Sequence, residues 1–262
     1  MNTRFSPPPD RTGASAGPIL GALAGLILGA AAVLLPGASG VLFPGASGAA
    51  AQTLNFASGD SDAPIQVDAD DGIEWEQDRQ IFTARGNAVA ERGNVTVRAD
   101  VLQAYYRKKP AGGTDIWRLD ADGNVRINSD KEKAFGEKGV YDVDKAILVL
   151  SGSKVGLTTA DDKITATRQL EWWENKRMAV ARGNALAVRG ERRLRADVLV
   201  AYFEKNKSGK SRISRVEAFD NVHIVTTTDT VTAARAVYYA DSSIATLTGS
   251  VKITRGENQL NG

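Results

Sequence analysis

The sequence predicts an all-β protein: an elongated stack of short antiparallel hairpins arranged as two sheets and open at both ends. Three observations carry that prediction. Apolar and polar residues alternate with a period of two in runs such as Val95-Thr96-Val97-Arg98-Ala99-Asp100-Val101, Val125-Arg126-Ile127 and Val222-His223-Ile224, the pattern of strands with one dry and one wet face. The chain matches itself at a constant offset of about 97 residues. Its 26 glycines and 6% aromatic content suit many tight turns, and no stretch after the N-terminal leader has helical spacing.

The leader comes first. Arg4, Arg11 and the Pro7-Pro8-Pro9 run precede an uncharged apolar stretch, Ile19 to Leu35. Two near-copies of one phrase follow, Leu34 to Gly40 and Leu42 to Gly48, and then Ala49-Ala50-Ala51-Gln52. Small residues at 49 and 51 fit a signal-peptidase site, so residues 1–51 are expected to be an export signal cleaved near Ala51, with a retained single-span anchor as the alternative. Residues 52–63 are expected to be a flexible linker, and the folded domain is expected to occupy residues 64–262.

Within that domain, Ile73 to Ser153 lies on Leu170 to Ser250 without a gap, with roughly 32 of about 81 pairs identical. Glu74-Trp75 meets Glu171-Trp172, Ala84-Arg85-Gly86-Asn87-Ala88 meets Ala181-Arg182-Gly183-Asn184-Ala185, and Arg98 to Leu102 meets Arg195 to Leu199. Two copies of one structural unit are therefore expected. Each divides into phrases opened by Gly86-Asn87, Gly123-Asn124, Gly183-Asn184, Asp220-Asn221 and Gly249-Ser250. The expected turns are the Gly-Asn pairs, Asp144-Lys145 with Asp241-Ser242, and Lys109–Thr114 with Asn206–Ser211. The last phrase restarts the pattern and stops at Gly262.

Alternation assigns inward apolar rows to Val95, Val97, Ala99, Val101, Val125, Ile127, Leu148, Leu150, Leu194, Ala196, Val198, Val222, Ile224 and Leu247. A slip of one residue exchanges the faces, so Ile147 with Val149 could stand inward in place of Leu148 with Leu150.

Composition closes off much chemistry. The absence of cysteine removes thiolate metal sites, disulfides and cysteine nucleophiles, and one histidine rules out multi-histidine sites. A formal net charge of +2 predicts no nucleic-acid partner. His223 falls on the polar phase of its strand, Asp70-Asp71 and Asp161-Asp162 sit beside turn signals, and Trp75 and Trp172 share one repeat position, as a structural cap would. The clusters Arg107-Lys108-Lys109, Arg189–Arg195 and Lys205–Arg212 read as solvated loops and protected strand edges. No catalytic, metal or cofactor site is expected.

The phrases Pro64 to Asp70, Ile73-Glu74, Phe82 to Ala88, Arg98-Ala99-Asp100 and Leu150-Ser151-Gly152 resemble, over about residues 62–262, the OstA-like domain of the LptA family of periplasmic lipopolysaccharide-transport bridge proteins. The resemblance implies a twisted β-jelly roll with an apolar channel for acyl chains, lined by the inward rows, and no enzymatic activity. It further implies a periplasmic location, end-to-end self-association, and docking to an inner-membrane anchor protein and an outer-membrane translocon. The alternative is a β-repeat scaffold or envelope assembly protein with a packed core and no ligand.

Overall fold

The computed structural model describes residues 66–92, 95–109, 113–129, 132–205 and 211–262, and every regular element among them is a strand. The first unit holds β1 (Gln66–Asp68), β2 (Ile73–Glu76), β3 (Ile81–Arg92), β4 (Val95–Lys108), β5 (Thr114–Asn128), β6 (Lys133–Asp142), β7 (Ile147–Ser151) and β8 (Val155–Thr158). The second holds β9 (Lys163–Ala166), β10 (Gln169–Trp173), β11 (Met178–Arg189), β12 (Arg192–Lys205), β13 (Ser211–Val225), β14 (Asp229–Tyr239), β15 (Ile244–Thr248) and β16 (Lys252–Arg255), followed by β17 (Asn258–Asn261). The expected leader and linker, and most of the turns at 109–114 and 206–211, lie outside the described residues. No helix among the described residues is long and apolar enough to cross a membrane.

All pairings are antiparallel and link the seventeen strands into one ladder. The ladder forks. β6 pairs with β7 through Lys138–Asp142 and with β8 through Lys133–Phe135. β11 pairs with β10 through Met178–Arg182 and with β9 through Leu186–Val188. β3 divides in the same way between β2 and β1, and β14 between β15 and β16. Each long strand thus contributes one half to sheet I, which runs from β2 to β15, and the other half to sheet II, which runs from β1 to β17. Apolar residues from both sheets meet in a single core. This is an open, antiparallel β-jelly roll, the predicted fold class.

The Gly-Asn pairs are not the hairpin turns the sequence suggested. Gly86-Asn87, Gly123-Asn124, Gly183-Asn184 and Asp220-Asn221 lie inside β3, β5, β11 and β13, each with both residues at positive φ. They are the corners where a strand leaves one sheet for the other, and the ladder register shifts there. Two successive left-handed residues also make a type I′ turn, so the same dipeptide signals a hairpin when read locally; here it forms a bulge that bends the strand. Neighbouring carboxylates supply the restraint. Asn124 Nδ2 donates to the Asp100 carboxylate at 3.0 Å and Asn221 Nδ2 to Asp197 at 2.8 Å, which accounts for the two Arg-Ala-Asp phrases, and Asn87 Nδ2 donates to Asp70, in the turn after β1, at 2.8 Å. The other described turns behave as expected: Asp144-Lys145 joins β6 to β7, and Asp241-Ser242 joins β14 to β15.

Strand bounds recur at the repeat spacing, with β3, β4, β5 and β7 matched by β11, β12, β13 and β15. The corner geometry yields a test. A Cβ on Gly123 would lie 2.1 Å from Asp100 Oδ2 and 2.9 Å from its Cβ, whereas one on Gly190, in the β11–β12 turn, meets nothing within 4 Å. Both have positive φ, so Gly190→Ala is expected to cost about 1 kcal/mol. Gly123→Ala should cost about 2 kcal/mol more, because Asp100 must move and release Asn124. Urea denaturation of the two variants measures the difference.

Candidate functional site

The interior is built from rows of directly paired residues. In sheet I one inward row passes from Ala84 through Leu102, Ala121 and Gly139 to Leu150. It then crosses to the second unit through Leu170, Ala181, Leu199, Ala218, Ala236 and Leu247. In sheet II the matching row runs from Val67 through Ala90, Val97, Ile127, Ala134 and Leu157. Ile164, Ala187, Leu194, Ile224, Val231, Ile253 and Leu260 complete it. Neither row contains a polar side chain, because alternation places every second residue of each strand on the same face.

Most of the residues assigned inward from alternation lie in this interior. Val95, Val97, Ala99, Val125, Ile127, Leu148, Leu150, Leu194, Ala196 and Val222 are buried, and Ile224 and Leu247 are partly buried against the core. Val101 and Val198 do not belong to the inner rows. Val101 stands between Arg85 and Asp122 on the outer face of sheet I, and Val198 between Arg182 and Phe219. The cause is the corner: the register shifts after Arg98 and Arg195, so the inward phase moves from Val97 and Ala99 to Leu102 and Ala104, and from Leu194 and Ala196 to Leu199 and Ala201. The sequence reading therefore missed Leu102 and Leu199, as well as Leu157, Ile164 and Ala181. Adjacent apolar pairs, Val101-Leu102 and Val198-Leu199, interrupt the alternation at the flip and are the signal that could have revealed it.

The interior is shielded along its length and exposed at its ends: Ala88, Val155, Ala185 and Ala196 are completely buried, whereas Trp75 is 50% exposed at one end and Leu260 is 65% exposed at the other. At the sheet II rim, polar side chains close the rows: Arg189 pairs with buried Asp162, and Arg255 donates from Nε to Asp229 at 2.6 Å. That Asp162 belongs to the Asp161-Asp162 turn. Outside, burial opposes the charge of Glu171, yet donors from Arg182, Gln169 and Trp173 hold its carboxyl below the usual range. His223 is exposed on the outer face. Trp75 and Trp172 both stand on an inward row, opposite Phe82 and Ala179 respectively. Among the described residues, no cluster of three or more histidine or acidic side chains could hold a metal ion.

The model of the LptA/(LptD N-terminal domain) lipopolysaccharide transport protein family matches residues 66–170 and again 163–262. An uncharacterized protein of Rhizobium meliloti (strain 1021) is 30% identical over 103 residues, which are 37% of this chain and 54% of that protein. The chain thus spans about half the length of this curated relative. Among solved structures, LptH of Pseudomonas aeruginosa, the LptA-homologous periplasmic component of a lipopolysaccharide transport device, aligns over 47% of this chain and 85% of its own at 16% identity, with a TM-score of 0.39.

Two measurements check the site. Leu199→Ala should cost about 2–5 kcal/mol and Val198→Ala under about 1 kcal/mol in equilibrium unfolding, although the two residues are neighbours. Hydrogen bonds from Arg255 and then Thr228 pull the Asp229 carboxyl down to about 2, from an ordinary 3.8. A depressed carboxyl contributes its stability above the ordinary value and loses it as pH falls toward 2. Hydrogen exchange along β16 should therefore accelerate between about pH 4 and 2, and Asp229→Asn should remove that acid step.

Proposed function

Because this chain belongs to the LptA/(LptD N-terminal domain) family of lipopolysaccharide transport proteins, we propose that it carries lipopolysaccharide by holding the acyl chains between its two sheets. The observation that carries this reading is the pair of unbroken apolar rows running from one end of the fold to the other. Each acyl methylene removed from water is worth about 0.8 kcal/mol, so tails gain by lying along such rows while the sugars remain wet at a rim. Rows of small and medium aliphatic residues run along the whole fold, which suits sliding between many similar sites rather than binding at one. Tails enter by parting sheets that share only bent strands, and the corners act as the hinge line.

The remaining features follow from the same reading. The protein is exported by its leader, works in the periplasm, and forms a segment of a bridge between an inner-membrane anchor protein and an outer-membrane translocon. The internal junction supplies a template for end-to-end association. β10 pairs with β7, whereas their counterparts β2 and β15 each pair on one side only among the described residues. A second copy's β2 added to β15 in the same register sets Trp75 opposite Ala245, as Trp172 stands opposite Leu148.

A second reading, a ligand-free β-repeat scaffold, draws on the complete burial of interior residues in both units, such as Ala88, Val155, Ala185 and Ala196. Photo-crosslinking in a lipopolysaccharide-producing host separates the two. Diazirine side chains at Leu102 and Leu199 are expected to capture lipopolysaccharide, and those at Val101 and Val198 are not. Capture at none of the four, together with lipid-free protein by native mass spectrometry, would favour the scaffold.

A further inference from the structure

The two units differ at one inward position that leaves a polar atom stranded. In the first unit the Trp75 indole N–H donates to the Tyr106 hydroxyl at 2.8 Å, and its ring stacks on Phe82 at 5.5 Å. One repeat later the same positions hold Trp172, Phe203 and Ala179. Phe203 meets Trp172 edge-on at 5.6 Å but offers no acceptor, and Ala179 is a methyl group where Phe82 is a ring. Trp172 is 5% exposed, and its Nε1 has no hydrogen-bond partner.

Tyr141, 1% exposed, lies on the same inward row, with Leu148 of β7 between the two residues. Its hydroxyl already faces an acceptor: burial, and after it the charge and hydrogen bond of the Glu174 carboxylate, push the phenol above its ordinary range. Trp172 is therefore the donor on this row that lacks a partner. Leaving a buried donor unsatisfied is costly, and native interiors rarely do so.

We propose that Trp172 forms a polar station on the apolar row where the units meet, its indole N–H donating a hydrogen bond to the ester or amide carbonyl oxygen of an acyl chain held between the sheets. The station rests on the acyl-carrier reading and refines it. A carbonyl oxygen only accepts, which matches an indole N–H that only donates, while a bare hydrocarbon leaves that N–H unpaired. Rows of uniform apolar residues place no constraint on how far a tail slides; a station at the unit boundary sets a stopping point for the linkage that joins tail to sugar.

The test uses the full chain with nitrogen-labelled tryptophans and two probes of similar length, methyl tetradecanoate and pentadecane, delivered from cyclodextrin. The ester is expected to move the Trp172 indole proton resonance downfield and to bind about fivefold more tightly than the alkane, the effect of one hydrogen bond. Phe203→Tyr restores the internal acceptor found in the first unit; it should abolish both the ester-induced shift and the preference. Tyr141→Phe, which removes the hydroxyl facing Glu174, should leave the preference and the Trp172 shift in place. Equal binding of both probes with an unmoved Trp172 resonance overturns the station and leaves the carrier reading standing. Failure of both probes to bind overturns the carrier reading, and the station with it.

Discussion

Each long strand must turn from one sheet into the facing one without losing its backbone pairing, and two successive left-handed residues accomplish this. L-residues with a Cβ resist that conformation by roughly 1–2 kcal/mol each, so the corner admits Gly, Asn and Asp and little else. The restraint is mutual: the corner of β5 needs the space that Gly123 leaves, and the Asp100 carboxylate beside it accepts from Asn124. At Asn124 and Asn221 the corner and the Arg-Ala-Asp phrase beside it are two halves of one joint, and their recurrence at the repeat spacing reflects a mechanical need.

The joint also governs which residues face inward. Because it inserts residues on one strand and not on its neighbour, it resets the alternation, and a strand that presents Val97 and Ala99 to the interior before the corner presents Leu102 and Ala104 after it. Without that reset, one half of every long strand would turn its charged row toward the core. Arg85, Asp122 and Lys138 share the outer row with Val101, and burying them unpaired would cost far more than burying the valine gains. The continuity of the inner rows, on which the proposed acyl-chain transport depends, is therefore a consequence of the corners.

Near-identity of the two units makes their differences informative. The strand bounds coincide, as do the corners, yet the aromatic cluster of Trp75, Phe82 and Tyr106 becomes Trp172, Ala179 and Phe203. In the first unit that cluster stands at an end of the fold and satisfies itself. In the second it stands at the junction and leaves an indole N–H facing the interior. A repeat that duplicates a scaffold also duplicates its sites, and one change, Tyr to Phe, separates a self-contained cap from a group able to receive a ligand.

Much of this was legible in the residues. Period-two alternation and scarce aromatics predicted an all-β fold, and the self-match predicted matched strands such as β3 with β11. Alternation alone placed Val97, Leu150, Leu194 and Val222 inward, because within one strand segment a side chain's face depends only on its neighbours. It failed at Val101 and Val198, and it read Gly86-Asn87 as a hairpin turn, since an isolated left-handed pair looks the same whether the chain reverses there or bends. Which of these occurs depends on what lies across the ladder, Asp70 beside Asn87 and Asp100 beside Asn124. The sequence by itself determined the strands, the repeat and the apolar character of the rows, all properties of adjacent residues. Only the tertiary structure decided the corners, the phase of each row beyond them and the stranding of Trp172, because each is settled by residues that are distant in the chain and paired in space.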